Sequence, residues 1–394
     1  MDDTPDRIWT RDFTLHWAAY FFMALSFYFL VPTLPLFAVN KLGAADSQVG
    51  YLIGVYTLAS VAVRPLAGHA LDAFGRRPIF LAALACFSLL NASYLLASTM
   101  GLFLLFRVLH GFSWGTTTSG GGTITADMVP EIRRSEGLGY FGLTMPMAMA
   151  VGPYIGLELT ANDQYMRLFG ASGALGLVAL ILAALVRPPR VPRRKRKLDW
   201  RGLYDRDVAH VCVVMLLSTT VYGGILAFIV LHCERLGIGG SGAVFLTYAL
   251  SVGIVRLLAG RLIDRVGKLP SMLVGYALLV MGFLLLGKPG SLTGLLVAAT
   301  LIGAGNANVW LTLQTMVIDL VPPQRRGVAN GTFYSAIDVG IGGGAVVLGW
   351  VADLTSTGAM YRFSALFLLV PATYFFVVAY RDYARKMANG AGAP

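Results

Sequence analysis

The sequence predicts an all-α membrane protein of twelve transmembrane helices, arranged as two pseudo-symmetric six-helix bundles. Three observations carry that prediction. The 394 residues are 56% hydrophobic and only 13% charged, against about 25% charged in an ordinary soluble protein. The apolar residues are contiguous, in windows of about 20 residues with few or no charges, each long enough to cross a hydrocarbon core of about 30 Å as a helix. Finally, the chain repeats itself: residues 64–78, RPLAGHALDAFGRRP, return at 256–270 as RLLAGRLIDRVGKLP, an offset of 192 residues. The copies agree at Arg64/Arg256, Leu66/Leu258, Ala67/Ala259, Gly68/Gly260, Asp72/Asp264, Gly75/Gly267 and Pro78/Pro270. About one match would be expected by chance at average composition. At the same offset, 127–141 falls on 319–333 with seven identities, so the halves are equal and run in the same direction.

The elements follow in order. After a charged start (Asp2, Asp3, Asp6, Arg7, Arg11, Asp12), residues 14–39 are almost wholly apolar. This stretch is too long for a signal-peptide core and has no small-residue cleavage site, so it reads as a retained first span containing Pro32 and Pro35. Further spans are expected at 47–71, 78–96, 101–126, 135–159 and 168–186. Residues 187–206, RPPRVPRRKRKLDWRGLYDR, cannot enter lipid. The same order then repeats at 208–231, 242–263, 270–286, 292–318, 327–351 and 359–380. The expected organisation is a first bundle over 1–186, a cytoplasmic basic linker over 187–207 and a second bundle over 208–394.

The net charge of +11 would suggest nucleic acid in a soluble protein, but its placement reads as topology. Nine basic residues lie in the linker, and most others sit in loops on the same side, including Arg76, Arg77, Arg133, Arg134, Lys268, Arg325 and Arg326. The opposite side holds only Lys41, Arg167, Arg235, Lys288 and Arg362. Both termini and the linker are therefore expected in the cytoplasm. The three cysteines, Cys86, Cys212 and Cys233, have neither disulfide nor zinc spacing and are expected to be buried small residues. Parallel repeats with a substrate site near mid-depth are one standard plan of secondary transporters.

With these residues in view, the chain resembles the major facilitator superfamily over essentially its whole length. Gly68-His-Ala-Leu-Asp72-Ala-Phe-Gly75-Arg76-Arg77 is similar to that family's loop signature between spans two and three, and 260–268, with Asp264, is a weaker second copy. The resemblance implies that this cluster, together with Asp127 at the end of span four, locks the two halves in the outward-open state; the alternative is that the charges only set topology. Arg107, His110 and Gly111 are similar to an R-x-x-Q-G pattern, with His110 in place of Gln. The resemblance ties this arginine to proton coupling; the alternative is a structural arginine paired with a backbone carbonyl. Gly152, Pro153 and Gly156 resemble the exporters' G-P-x-x-G-G signature, with Leu157 replacing its last glycine.

Other readings come from the residues themselves. An arginine in hydrocarbon costs about 2.5 kcal/mol or more on the insertion scale, which makes Arg107 a functional candidate. Asp338 is the only acid well inside the second half, eleven residues into its span and so about halfway across the bilayer. It is the expected proton carrier, the alternative being a permanent ion pair with Arg256 or Arg107. If Arg64, Arg107 and Arg256 line the cavity, its field favours an anionic or zwitterionic substrate; Arg64/Asp72 and Arg256/Asp264, each eight residues apart on one helix face, are equally readable as structural pairs. Tyr28, Trp114, Tyr222, Asn306, Gln314 and Tyr334 complete the expected substrate cavity.

Two motifs are set aside. Gly111-Phe-Ser113-Trp-Gly115 fits a nucleophile elbow, but it lies within a hydrophobic span. The glycines of 340–345 fit a dinucleotide fingerprint but follow no strand, and helix packing explains them better. The expectation is a monomeric proton-coupled exporter of a small organic molecule, in the cytoplasmic membrane of a bacterium. It is not an enzyme, and its partners are substrate, protons and the lipid bilayer, with no cofactor, metal or nucleic acid. The alternative is a proton symporter importing a small organic anion or sugar.

Overall fold

The computed structural model describes residues 7–130, 133–160, 164–189, 204–322 and 325–389, with the side chains of 134–136, 257–266 and 326–327 outside the description. Residues 190–203 of the expected linker and the Asp264 side chain therefore lie outside the described residues.

All regular structure among the described residues is helical. The first span is two helices, α1 (Arg11–Leu30) and α2 (Thr33–Leu42). Pro32 sits at their junction because it has no N–H to continue the ladder, whereas Pro35 is tolerated in the first turn of α2. Thr10 caps α1, its hydroxyl accepting from the Phe13 N–H at 3.2 Å. Next come α3 (Asp46–Phe74), α4 (Arg76–Ser93), a 3-10 turn at Tyr94–Leu96, and α5 (Met100–Met128). The fifth expected span is broken at Leu143 into α6 (Arg134–Gly142) and α7 (Thr144–Leu159), and α8 (Tyr165–Leu185) follows.

The second half contains α9 (Ala209–Arg235), α10 (Ser241–Val266), α11 (Lys268–Leu286), α12 (Leu292–Asp319) and α13 (Arg326–Leu354). Its last expected span is interrupted, as α14 (Thr357–Phe367), α15 (Leu369–Tyr374), a π turn at Phe375–Ala379 and α16 (Tyr380–Ala388). Pro371 explains the first interruption, since it cannot bond the Phe367 carbonyl.

Nine stretches among the described residues are long and apolar enough to cross a membrane. At 29 residues, α5 is long enough too, but its run of Gly, Ser and Thr from Gly115 to Thr125 dilutes its hydropathy. Those hydroxyls are satisfied within the helix: Thr117 bonds Ser113 O at 2.6 Å, Ser119 bonds Gly115 O at 2.7 Å and Thr125 bonds Gly121 O at 2.8 Å. Ser113 itself lies mid-helix and bonds back to Leu109 O at 3.0 Å, unlike a residue on a strand-to-helix elbow.

The chain divides into two compact units, Met1–Leu42 with Leu58–Leu198, and Gly43–Thr57 with Asp199–Pro394. The start of α3 thus groups with the second unit and its remainder with the first. The repeat reappears in how each unit is packed. In the first, α1 lies against α7 and α8, and α4 against α5 and α8. In the second, α9 lies against α13 and α14, and α11 against α12 and α14. These are the same pairings moved by the sequence offset.

Glycines set the closest approaches. A methyl at Gly223 or Gly340 would strike the Ile341 or Leu216 carbonyl, so α9 and α13 pack backbone to backbone. One cysteine departs from expectation: Cys212 and Cys233 are buried, whereas Cys86 is exposed on α4.

Candidate functional site

In the first unit, α5 places Arg107, His110 and Trp114 at i, i+3 and i+7, on one face. Arg107 is 2% exposed and His110 fully buried. Phe87 lies 4.5 Å from the His110 ring, and Phe27 lies 4.2 Å from the Trp114 ring, so both side chains sit in an aromatic packing cluster. Arg107 also hydrogen-bonds the Tyr94 hydroxyl. A guanidinium can only donate, so the Tyr94 oxygen accepts from it, and the same hydroxyl bonds His110 Nδ1, 2.8 Å away. Tyr94 is the member of the cluster that sequence reasoning missed; no motif marks it.

The loop signature resolves into distinct jobs. Gly75 has φ 104°, a left-handed backbone open to glycine, and it begins α4; Gly267, its repeat partner, has φ 88° and begins α11. Pro78 and Pro270 follow in the first helical turns. Arg76 forms an ion pair with Asp127, while the exposed Asp72 adds its charge nearby. Arg77 donates to the Ala184 carbonyl at 2.7 Å, closing the end of α8. Gly68 has open space around it, with nothing within 4 Å of an added methyl, so close packing does not account for this glycine.

The second unit repeats the ion pair. Lys268 Nζ lies 2.7 Å from Asp319, at positions equivalent to Arg76 and Asp127. Tyr383 joins them, accepting from Lys268 at 2.7 Å and donating to Asp319 at 2.8 Å. The 192-residue offset already aligned Asp127 with Asp319, so this pair was available in the sequence. Tyr383 was not.

Gly152 and Gly156, with the buried Pro153 between them, let α7 close on α1. A methyl at Gly152 would lie 2.6 Å from Tyr28 Cβ, and one at Gly156 would lie 2.9 Å from Phe29 Cα. Leu157, the residue that departs from the exporter signature, is half-buried. Arg64 and Tyr28 are also half-buried in this unit.

The second unit assembles most of the remaining predicted residues into one polar and aromatic stripe. Asn306, Trp310 and Gln314 are spaced four apart on α12. Asn306 donates to the Tyr248 hydroxyl at 2.6 Å, and Tyr222 stacks on Tyr248 at 5.8 Å. The Arg256 guanidinium lies 5.9 Å from the Trp310 ring centroid. Gln314 donates to the Tyr334 hydroxyl at 3.3 Å, and Asp338 follows Tyr334 by one turn of α13. Asp338 is half-buried, with Oδ2 withdrawn from solvent. Tyr248 was missed because a tyrosine in an apolar run carries no spacing signal of its own.

A separate cleft of about 740 Å³ in the second unit includes Asp46, Arg235, His232, Lys288, Asp353 and Thr357 in its lining. Arg235 holds Asp46 bidentately at 2.5 and 2.6 Å, and Asp353 accepts from the Ser47 N–H at 2.9 Å. His232 bonds the Leu286 carbonyl through Nε2 at 3.0 Å and Thr357 through Nδ1 at 2.8 Å.

Comparison with known proteins agrees with this architecture. The staphylopine export protein of Staphylococcus aureus is 22% identical over 354 residues, 84% of this chain and 87% of that protein. An uncharacterized MFS-type transporter of Methanocaldococcus jannaschii is 25% identical over 367 residues, 90% of this chain and 94% of that protein. Among solved structures, that of the nucleoside transporter NupG is 15% identical and superposes with a TM-score of 0.78, covering 92% of this chain and 98% of that one. The family model described as Major Facilitator Superfamily matches twice, over residues 17–245 and 211–393. Repeat, helix pairing and family match converge: the chain belongs to the Major Facilitator Superfamily, and its fold is that of the family's transporters.

Proposed function

We propose that the chain exports a small organic molecule in exchange for protons, by alternating access, as a monomer in the cytoplasmic membrane of a bacterium. The observation that carries this reading is Asp338, a half-buried carboxylate about 18 Å along α13 from its first residue. An ionisable group within a spanning helix marks a proton or substrate path by default. Similarity to a protein named for export supports the direction, as does the Gly152, Pro153 and Gly156 contact that sets α7 against α1. Arg107 supplies a fixed positive charge, and His110 responds to it through Tyr94. The Arg76–Asp127 and Lys268–Asp319 pairs are the ties that the switch breaks and remakes. The working parts are the halves 1–186 and 208–394, joined by 187–207, with both termini and the linker cytoplasmic.

The test is substrate-stimulated proton movement in proteoliposomes holding a pH gradient. A folded Asp338→Asn variant is expected to lose it, and undiminished proton-driven export by that variant would sink the assignment. Leu157, standing where the exporter signature has glycine, favours one second reading: proton symport that imports an organic anion or sugar. The direction of proton-driven flux separates the two.

A further inference from the structure

The polar stripe of the second unit carries more than a location. Along α10, Leu250 and Ile254 are exposed, the surface expected toward lipid. Arg256 projects about 200° round the helix from Ile254, at about 100° per residue. It is exposed as well, and a guanidinium left in hydrocarbon costs about 2.5–3.5 kcal/mol. The face it occupies is therefore a watered one. Among the described residues it makes no ion pair; it lies over the Trp310 ring, with the Tyr248 hydroxyl within reach of its charge. A guanidinium stacked on a ring keeps its edge N–H groups available, and that planar fork matches a carboxylate in two parallel bonds.

The surroundings of Arg256 are aromatic and fixed in place. Phe333 lies 6.5 Å from the Trp310 ring, and Tyr334, 41% exposed, is held by Gln314. Tyr248, 6% exposed, is clamped by Asn306 and Tyr222, which fixes its hydroxyl within reach of the Arg256 charge. An exposed cation that makes no ion pair among the described residues, flanked by aromatic faces, fits a ligand with a negative group and a flat ring. We propose that Arg256, Trp310, Gln314 and Tyr334 form the subsite for an aromatic carboxylate, with Tyr248 as a positioning residue. This substrate class rests on the transport reading given above.

The test uses the purified full chain in nanodiscs, without any gradient, titrated calorimetrically with three ligands of one shape: 1-naphthoate, 1-naphthalenemethanol and 1-naphthylmethylammonium. Naphthoate is expected to bind at least tenfold tighter than the other two. Arg256→Gln should lose at least tenfold in naphthoate affinity and abolish the preference, and Tyr248→Phe should weaken naphthoate while leaving the alcohol unchanged. Arg256→Lys keeps the charge without the planar fork, so it should preserve the preference at reduced affinity, which guards against a fold defect in the glutamine variant. Naphthoate that fails to bind, that binds no better than its alcohol, or that binds Arg256→Gln as well as the parent overturns the subsite. Flux is a separate measurement: naphthoate binding without proton-driven transport overturns the proposed function and leaves the subsite. Proton-driven transport of cations alone, insensitive to Arg256→Gln, does the reverse.

Discussion

Two adjacent glycines on α13 should respond in opposite ways to the same substitution. A methyl added at Gly344 would run into the Thr220 carbonyl oxygen and lie 2.5 Å from Thr220 Cα on α9, whereas one added at Gly343 has nothing within 4 Å. Ordinary carbon-to-oxygen approaches are about 3.3–3.6 Å, and the obstacle at Gly344 is backbone, which no rotamer change relieves. The helices must separate by on the order of 1 Å, and overpacking of that kind costs about 1–3 kcal/mol. Gly343→Ala meets no obstacle and gains the alanine advantage in a helix interior, about 0.5–1 kcal/mol. The variants should therefore differ by about 2–4 kcal/mol, or on the order of 5 °C in Tm at about 2 °C per kcal/mol. Thermal unfolding of both purified variants in one detergent reads this directly. If Gly344→Ala unfolds at or above the temperature of Gly343→Ala, α9 and α13 are not in backbone contact there and the packing argument fails.

Two further predictions follow the same logic. A double-mutant cycle on Asp46→Ala and Arg235→Ala should give a coupling of about 1–3 kcal/mol, between the values for exposed pairs and for charged hydrogen bonds, because Asp46 is 8% exposed and Arg235 42%. Additive single-mutant losses would show that the pair contributes nothing. At Gly75, with φ 104°, alanine should destabilise by about 1–2 kcal/mol, and stability unchanged by Gly75→Ala would remove the backbone explanation for its recurrence as Gly267.

The legible part of this protein was its plan. Length, contiguous apolar windows and the 192-residue repeat gave the helices and their order, because covering lipid with a hydrogen-bonded backbone leaves few alternatives to helices. Of the glycines of 340–345, Gly340 and Gly344 meet the backbone of α9, as the packing reading expects, whereas Gly343 has nothing within 4 Å of an added methyl. The breaks at Leu143 and within the last span were not legible. Pro146 and Pro371 withhold the N–H groups that would meet the Gly142 and Phe367 carbonyls, but Pro65 and Pro153 lie inside unbroken helices, so a proline alone announces neither a break nor a π turn. The candidate site was marked in the sequence by its charged members, because charge in hydrocarbon is rare enough to be a signal. Tyr94, Tyr248 and Tyr383 escaped because tyrosine is common in apolar runs, and its importance lies in where its hydroxyl points.

The matched turns at Gly75 and Gly267 bear on where the repeat can vary. The two copies can differ wherever a neighbour compensates for the change. Arg76 and its counterpart Lys268 show such a difference: one copy has a planar fork and the other a point charge, with Tyr383 sharing the carboxylate in the second. A left-handed backbone has no such accomplice, since no neighbouring side chain can relieve the clash between a residue's own Cβ and its own backbone. The turn glycine is thus the position in the repeated segment whose requirement no neighbouring side chain can take over, and it stands in both copies with φ 104° and φ 88°.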